Sequence, residues 1–534
     1  LFTASRPDKS EFLTGPMLSF FLLLARKMAQ NGFFRMSFLD IDGEPAAGVM
    51  CFDYNHTIFL YNNGYDPRFG RLSVGLLSKV YSIRDSIEQK SLRYDLLKGN
   101  EIYKKRLGST PVPLYRLKID LDGSTGKNQM ACRPMVLNIA MLRIHSSPIG
   151  DLGTQDTGGM SVYVRELSKE FGRRGHCIDI FTQHNSGRHQ RVVDLYDNVR
   201  LIHLSGGNRG TVSKRSLYAY LPQLFRDLDS FKIKENIEYD ILHSHYWLSG
   251  VLGAMARSAW DIPHLLTYHT IGAVKQQICP SENEPELRLT SEQKLAKDCD
   301  GLVVATQKEK EYLSRYDVPV DKITVIPCGV DFHRFKPLDK PSARRQLGYS
   351  GDDFMVLYVG RYAPVKGLHR LLETVGRLTH LPGLRLVMVG GDGPHTPMFR
   401  QLQSKAAALN IQNRVTFAGR VEQKTLPQYY SAADVLAVPS DYESFGLVAL
   451  EALACGTPVV TTPVGAMEKI VKDGVTGYVA TDSDPKHFAR LIEAVWLKQQ
   501  ENSLSPSKIR DSVTEFTWTR SASLLLEAYR SVPY

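Results

Sequence analysis

From Met135 onward the chain alternates short apolar runs with helix-length stretches, and it does so in two successive series. The first holds Val136–Ile144, Cys177–Thr182, Asp240–Ser244, His264–Thr267, Gly301–Ala305 and Ile323–Ile326, with Met160–Arg174 reading as the first intervening helix. The second holds Phe354–Val359, Arg385–Val389, Val415–Ala418, Val435–Val438 and Pro458–Thr461. Such runs, bounded by turn residues and separated by helices, are the pattern of strands buried on both faces of a parallel sheet. Two series predict an α/β chain with two doubly wound, Rossmann-like units over 135–336 and 337–510, hinged at Pro337 to Ser342. Sheets of this kind bind ligands beyond the carboxyl ends of their strands, so two in tandem are expected to face each other across a cleft.

Residues 1–120 follow another grammar and are expected to form an α+β unit of their own. Leu18–Asn31 reads as a helix stopped at Gly32, and Phe34–Ile41 and Ala46–Tyr54 as strands joined at Asp42-Gly43. Asp-Gly is a strong hairpin signal because both turn residues must take positive φ. Thr57–Asn62 reads as a third strand and Leu76–Gln89 as a helix. The run Leu18–Ala25 is too short to span a bilayer and stops at Arg26-Lys27, so a buried helix is expected rather than a membrane span or signal peptide. A polar, glycine-containing linker occupies 121–134. The chain begins at Leu1 rather than Met and is expected to be a fragment or to lack an upstream part.

A chain of 534 residues has room for about three domains. Its seven cysteines are scattered, odd in number and form no Cys-x-x-Cys pair, which fits reduced thiols and a cytoplasmic location. The formal charge of +10 suits anionic substrates or a peripheral membrane contact, and equally a solvated basic face. No basic block or aromatic-interleaved basic stripe points to nucleic acid.

The densest chemical signal is Ser440-Asp-Tyr-Glu443-Ser444-Phe445-Gly446-Leu447-Val-Ala-Leu-Glu451, after the apolar strand ending near Val438. Carboxylates eight residues apart are expected on one face of a helix that starts near Ser444, whose unpaired amide N–H groups suit an anion. After Phe354–Val359 comes Gly360-Arg361, then Lys366-Gly367. An Arg that forks onto oxygens and a Lys as point charge, at a strand's carboxyl end, suit a diphosphate. Gly390-Gly391 follows another strand and allows close backbone approach, or is simply a turn. In the first unit Gly158-Gly159 opens a helix, either as a phosphate cradle or as a helix-packing turn. His243-Ser-His245-Tyr246 and Tyr268-His269-Thr270 end two strands. No Asp-x-Asp ends a strand to carry a divalent ion, so no metal and no tightly bound cofactor is expected.

The Glu-x7-Glu spacing, with Arg361, Lys366 and the segment Arg414–Val421, resembles the signature of retaining GT-B glycosyltransferases of family 4 over roughly residues 136 to 530. The resemblance implies a nucleotide-diphosphate sugar as donor, expected as UDP-glucose or UDP-N-acetylglucosamine with GDP-mannose the open alternative, and a hydroxyl acceptor. Arg361 and Lys366 would stabilise the leaving diphosphate, and Glu443 would sit near the donor sugar. Ser444, Phe445, Gly446 and Leu447 would supply amides, Glu451 the ribose contact, and Arg420 and Val421 the backbone carrying the base. Gly158, Gly159 and Gly391 would approach the donor, and His269 would match the active-site histidine. The likeness is closest to the branch of inositol-phosphate glycosyltransferases and sucrose-phosphate synthases, where acceptor-phosphate residues match Lys214, Tyr246, Thr270 and Arg288. An Asn of that branch is replaced here by Ser161. A phosphorylated polyol or sugar is the acceptor class implied. The resembled fold also implies that a final helix, Thr519–Tyr529 within 511–534, crosses back onto the acceptor unit.

Residues 12–117 resemble the carboxyl half of a FemAB-like GNAT acyltransferase, on Gly32–Leu39, Asp42–Ala47, Tyr61–Pro67, Gly75–Leu77, Tyr94–Gly99 and the following Asn100–Lys105. Acyl-CoA at Ser73–Leu77 is what that likeness implies; an inactive remnant fits the missing first half equally well. Three functions therefore stand side by side: glycosyl transfer, acyl transfer by the amino-terminal unit, and a silent sugar-nucleotide binding module.

Overall fold

Asp42 and Gly43 both take positive φ, 51° and 83°, the backbone of a tight hairpin turn that matches strand twist. In this computed structural model the turn joins β1 (Phe34–Ile41) to β2 (Glu44–Tyr54). β3 (Thr57–Tyr65) pairs antiparallel with β2, and β4 (Arg93–Asp95), too short to be read from sequence, adds parallel to β3. The helix Val74–Glu88 packs across one face, where Val49, Cys51, Ile58, Leu60 and Val74 are buried. Its early glycine, Gly75, is required by packing, since a Cβ there would lie 2.8 Å from the Tyr65 ring.

The helix Gly15–Gln30 forms where expected but is not buried, because Leu22 and Leu23 are 53% and 59% exposed. Phe21 meets the Tyr61 ring at 5.9 Å. A helix resting on a four-stranded sheet through one edge leaves its opposite side to solvent. The structure describes residues 15–97, 104, 107, 136–147, 158–183, 190–206, 214–280, 283–316 and 318–532. The linker, Gly99–Tyr103 and Pro148–Gly153 lie outside them. The chain divides into Leu1–Gly126 and Lys127–Tyr534.

The larger unit holds two sheets. The first contains β5 (Asn138–Leu142), β6 (Cys177–Gln183), β7 (Val192–Tyr196), β8 (Val199–Leu204), β9 (Ile241–His245), β10 (His264–Thr267), β11 (Gly301–Val304) and β12 (Ile323–Val325). Their order is β12-β11-β10-β9-β5-β6-β8-β7, parallel except for β7, which runs antiparallel to β8. The second contains β13 (Phe354–Val359), β14 (Leu384–Val389), β15 (Val415–Gly419), β16 (Val435–Val438), β17 (Val459–Thr461) and β18 (Gly477–Val479). Their order is β15-β14-β13-β16-β17-β18, all parallel. Strand order reverses between β5 and β9 and between β13 and β16, and the crevices at those reversals are where such sheets receive ligands.

Burial explains the apolar runs. Every residue of β9, β10, β11 and β16 is buried, so both faces are covered. The expected hinge is partly helical, since Asp339 accepts from the Ser342 amide at 3.0 Å and caps the helix Lys340–Leu347. The last helix, Trp518–Ser531, lies against the first sheet's layer: Arg174 donates to Ser523 Oγ at 3.1 Å and Ser521 Oγ to the Pro327 carbonyl at 2.7 Å.

Candidate active site

In the carboxyl lobe two loops are laced together at the β13/β16 reversal. Gly367 has φ +66°, and a Cβ there would stand 2.0 Å from the Pro439 carbonyl oxygen, so only glycine lets the loops close. The Asp441 amide donates to the Val365 carbonyl at 2.8 Å, and Arg370 pairs with Asp441 at 2.6 Å. This fixes Lys366, whose Nζ donates to Glu443 Oε1 at 2.6 Å, while Ser440 Oγ donates to the same oxygen at 2.8 Å. Arg361 opens the first loop, and its carbonyl accepts from Tyr358 OH at 2.7 Å.

The expectation that Glu443 and Glu451 share a helical face is overturned. The helix is Leu447–Ala454, with Gly446 at φ +108° before it. Residues 440–446 form a turn, so Glu443 precedes the helix and only Glu451 lies on it. A Cβ at Gly446 would sit 2.3 Å from Met467 Cε, which makes this turn glycine's. The Leu447 and Val448 amides precede the first intrahelical bonds, which run from Ala449 and Leu450 to the Gly446 carbonyl. Glu451 is buried and accepts from Tyr430 OH at 2.8 Å. Burial pushes its carboxyl up to about 7.

In the amino lobe the site gathers at the ends of β5, β9 and β10. Tyr246 (φ 77°) and His269 (φ 59°) both take left-handed backbone immediately after a strand or its next residue, a strain that clusters at functional sites. His245 Nδ1 and His269 Nε2 are 2.9 Å apart. Arg288 lies over the Tyr246 ring at 4.9 Å and donates to the Thr270 carbonyl and hydroxyl at 2.8 and 3.0 Å. Glu292 and Glu284 accept from its remaining nitrogens at 2.7 and 2.9 Å. Lys275 adds a second cation, donating to Glu284 at 2.7 Å. Burial works against the charge on Glu284, but Arg288 and Lys275 outweigh it and hold its carboxyl below the usual range.

The two lobes enclose one cavity of about 390 Å³. It is lined by His269, Arg361, Lys366, Glu443, Ser444, Phe445, Gly446, Leu447, Glu451, Arg420, Val421, Gly158, Gly159, Tyr246, Thr270 and Arg288. The amino-terminal ends of two helices meet across it, for a Cβ on Gly159 would come within 3.3 Å of Leu447. Gly391 is not in the lining; its φ of +80° makes room for the Tyr362 ring, 2.6 Å from where a Cβ would be. Lys214 begins the helix Lys214–Ala219, and its side chain lies outside the described residues. Sequence reading missed Lys275, Gln423 and Tyr442, which also line the cavity. Gln423 accepts from Arg165 and, at 2.7 Å, from Arg334, and Tyr442 OH accepts from the Ile271 amide across the lobes at 3.4 Å. Only Tyr442 carried a signal, as part of the 440–446 turn.

Residues 339–509 match the family described as Glycosyl transferases group 1, and 157–334 match Glycosyltransferase Family 4. Residues 3–105 match an acetyltransferase (GNAT) domain. The D-inositol 3-phosphate glycosyltransferase of Geodermatophilus obscurus is 38% identical over 403 residues, covering 73% of this chain and 88% of that protein. That of Xylanimonas cellulosilytica is 36% identical, with 73% and 96% covered. Among solved structures, sucrose-phosphate synthase from Thermosynechococcus elongatus superposes with a TM-score of 0.69 at 32% identity, over 74% of this chain and 98% of that one. Anabaena HepE, at 20% identity and a TM-score of 0.58 over 74% and 100%, shares the fold. With both lobes matched and relatives covered over most of their length, the chain belongs to the family 4 glycosyltransferases of GT-B fold, and is a glycosyl-transferring enzyme preceded by a GNAT-type unit.

Proposed function

We propose that the enzyme moves a hexosyl unit from a nucleoside-diphosphate sugar, UDP-linked, to a hydroxyl of a phosphorylated polyol or sugar, retaining anomeric configuration. The observation that carries this reading is the convergence of Arg361, Lys366 and the start of the helix Leu447–Ala454 on the cavity that also holds Tyr246, Thr270 and Arg288. As the bond from the anomeric carbon to the diphosphate breaks, negative charge grows on the leaving oxygens. Fixed cations and helix amides in a site shielded from water stabilise that charge more than they stabilise the ground state. Only one of the three Lys366 N–H groups is committed to Glu443. Glu443 Oε1 already accepts from Lys366 and Ser440, which suits orienting the sugar rather than attacking it. The acceptor oxygen then bonds to the anomeric carbon from the face the diphosphate leaves, and its proton passes to the departing phosphate.

The acceptor class is supported by the Arg288 fork beside Thr270 and Lys275, donors of the kind that recognise phosphate. Phosphorylated compounds also appear in the names of the relatives, D-inositol 3-phosphate glycosyltransferase and sucrose-phosphate synthase. Thermal shifts against UDP-, GDP- and ADP-sugars test the donor, with the largest shift expected from a UDP-sugar. Arg361→Ala tests the chemistry: folding should be retained and kcat should fall about 10²–10³-fold. Undiminished turnover by a folded variant overturns the reading.

A further inference from the structure

His245 takes no part in the reaction scheme above, yet it is wholly buried at the end of β9, with its Nδ1 2.9 Å from His269 Nε2. Neutral imidazole offers one N–H and one lone pair, so one of these rings must donate and the other accept. Both rings are neutral near pH 7: burial drives the pKa of each well down, helped by Arg143 and, for His245, by His243 and His269, with that of His269 reaching about 3. Which ring donates follows from the far side of His245. Its Nε2 is buried without a hydrogen-bond partner. A buried orphan N–H is the rarer and costlier fault, and the positive charge of nearby Arg143 favours a bare lone pair. The proton of His245 therefore belongs on Nδ1, where it is donated to His269.

The neighbouring pair shows the same economy. His243 Nδ1 meets Tyr529 OH at 2.7 Å and its Nε2 meets Thr267 Oγ1 at 2.9 Å, so both of its nitrogens are satisfied by groups that can either give or accept. His245 has no such latitude, and its fixed polarity passes to His269. With Nε2 of His269 occupied as acceptor, its own proton must sit on Nδ1.

We infer that His245 is a positioning residue that locks His269 as the Nδ1–H tautomer, so that His269 serves the reaction as a fixed hydrogen-bond donor and not as a base. The inference rests on the glycosyl transfer proposed above, with His269, which lines the cavity, as the active-site histidine that the family resemblance implies. Its chemical content is that the acceptor's proton does not pass to this ring, since one nitrogen already carries hydrogen and the other's lone pair is engaged.

Long-range ¹H–¹⁵N correlation spectra of the ¹⁵N-histidine-labelled full chain test this directly. The His269 ring, assigned by its loss in His269→Gln, should show a protonated Nδ1 and an unprotonated Nε2 at pH 7. A protonated Nε2 overturns the inference whatever the activity. His245→Asn keeps an amide donor near the place of Nδ1 and should hold kcat within about threefold, whereas His245→Leu should lower kcat about 10–100-fold with KM for donor nearly unchanged. Equal kcat in the Asn and Leu variants also overturns it. A His269→Ala enzyme as active as the parent would remove His269 from the reaction and overturn its role as donor, while the glycosyl transfer proposed above would stand.

Discussion

The two walls of the cleft are charged by different means. In the carboxyl lobe the functional groups are ions held on glycine-shaped loops, as with Lys366 and Glu443 at 2.6 Å and Arg370 and Asp441 at 2.6 Å. The amino lobe's wall is backed instead by neutral histidines, His264 fully buried and pushed by burial to about 4, and the cavity-lining His269 pushed to about 3. An ion can answer charge that develops during bond breaking, whereas a neutral hydrogen-bonded ring can fix a direction without competing for it. On the proposed reading, leaving-group work belongs to the first wall and orientation to the second.

That division is broken most forcefully at Lys366. Lys366→Ala should lower kcat about 10²–10³-fold, with donor KM altered much less, because the interaction is strongest after charge has separated. Steady-state kinetics decide it; a KM effect with unchanged kcat would make Lys366 a ground-state binder. If Arg361 and Lys366 are the cations that face the diphosphate, activity in both parent and variant should survive EDTA.

Among the described residues, burial pushes a carboxyl in each lobe up to about 7, Glu451 in the carboxyl lobe and Glu309 in the amino lobe. Glu309 accepts from the Ala305 amide at 2.9 Å and lies beside a small cavity that also touches His269. A carboxyl with a higher pKa folded than unfolded supports the fold fully below about 4.5 and stops doing so as pH climbs through 7. Ionised Glu451 therefore costs the native state about 3 kcal/mol above that window. Glu451→Gln should raise the urea midpoint at pH 8.5 and leave it nearly unchanged at pH 4.5, while weakening donor binding. Glu309→Gln should show a pH trend of the same sign with donor affinity intact. Calorimetric titration of both variants with the donor separates a ligand-binding carboxyl from a structural one; equal losses of affinity would erase the distinction between walls.

A third test probes the acceptor side. Arg288→Lys keeps the charge but loses the fork that reaches Thr270, Glu284 and Glu292 at once. KM for a phosphorylated acceptor should rise about tenfold, with donor KM unmoved. If KM for an unphosphorylated acceptor rises equally, Arg288 is not reading a phosphate.

Sequence disclosed the parts of the site that are encoded locally. Parallel strands buried on both faces announce themselves as apolar runs, so β10, β13 and β16 matched their predicted bounds. The β7–β8 hairpin escaped because its edge strand, Val192–Tyr196, is only partly covered and turns on Asn198 at φ 59° without a glycine. β18 is three residues long and offers no period to detect. The Glu443/Glu451 spacing pointed to the right residues for a wrong geometric reason, because eight positions fit a helix face equally when half of them form a turn. Lys275 and Gln423 were invisible since their relevance arises only when the lobes close around one cavity. Gly391, offered by the sequence as a close-approach glycine or a turn, falls outside the cavity lining and makes room for the Tyr362 ring.

The smallest effect is expected where the lobes touch at the surface. Lys308, 56% exposed, pairs with Glu468 and also donates to the Pro463 carbonyl at 3.2 Å. An exposed pair of this kind is worth about 0–1 kcal/mol and is screened by salt. Tyr442 OH, by contrast, accepts from the buried Ile271 amide, and its surroundings drive the hydroxyl far above its ordinary pKa. Lys308→Ala should therefore change kcat and both KM values by less than about twofold, with any difference vanishing at 0.5 M salt as the Debye length falls to about 4 Å. Tyr442→Phe should have the larger effect, insensitive to salt, because it leaves the Ile271 amide unpaired inside the closed cleft. Were Lys308→Ala the more damaging of the two, closure would be governed by surface charge rather than by the buried contact, and the two walls would be coupled through solvent instead of through the site they share.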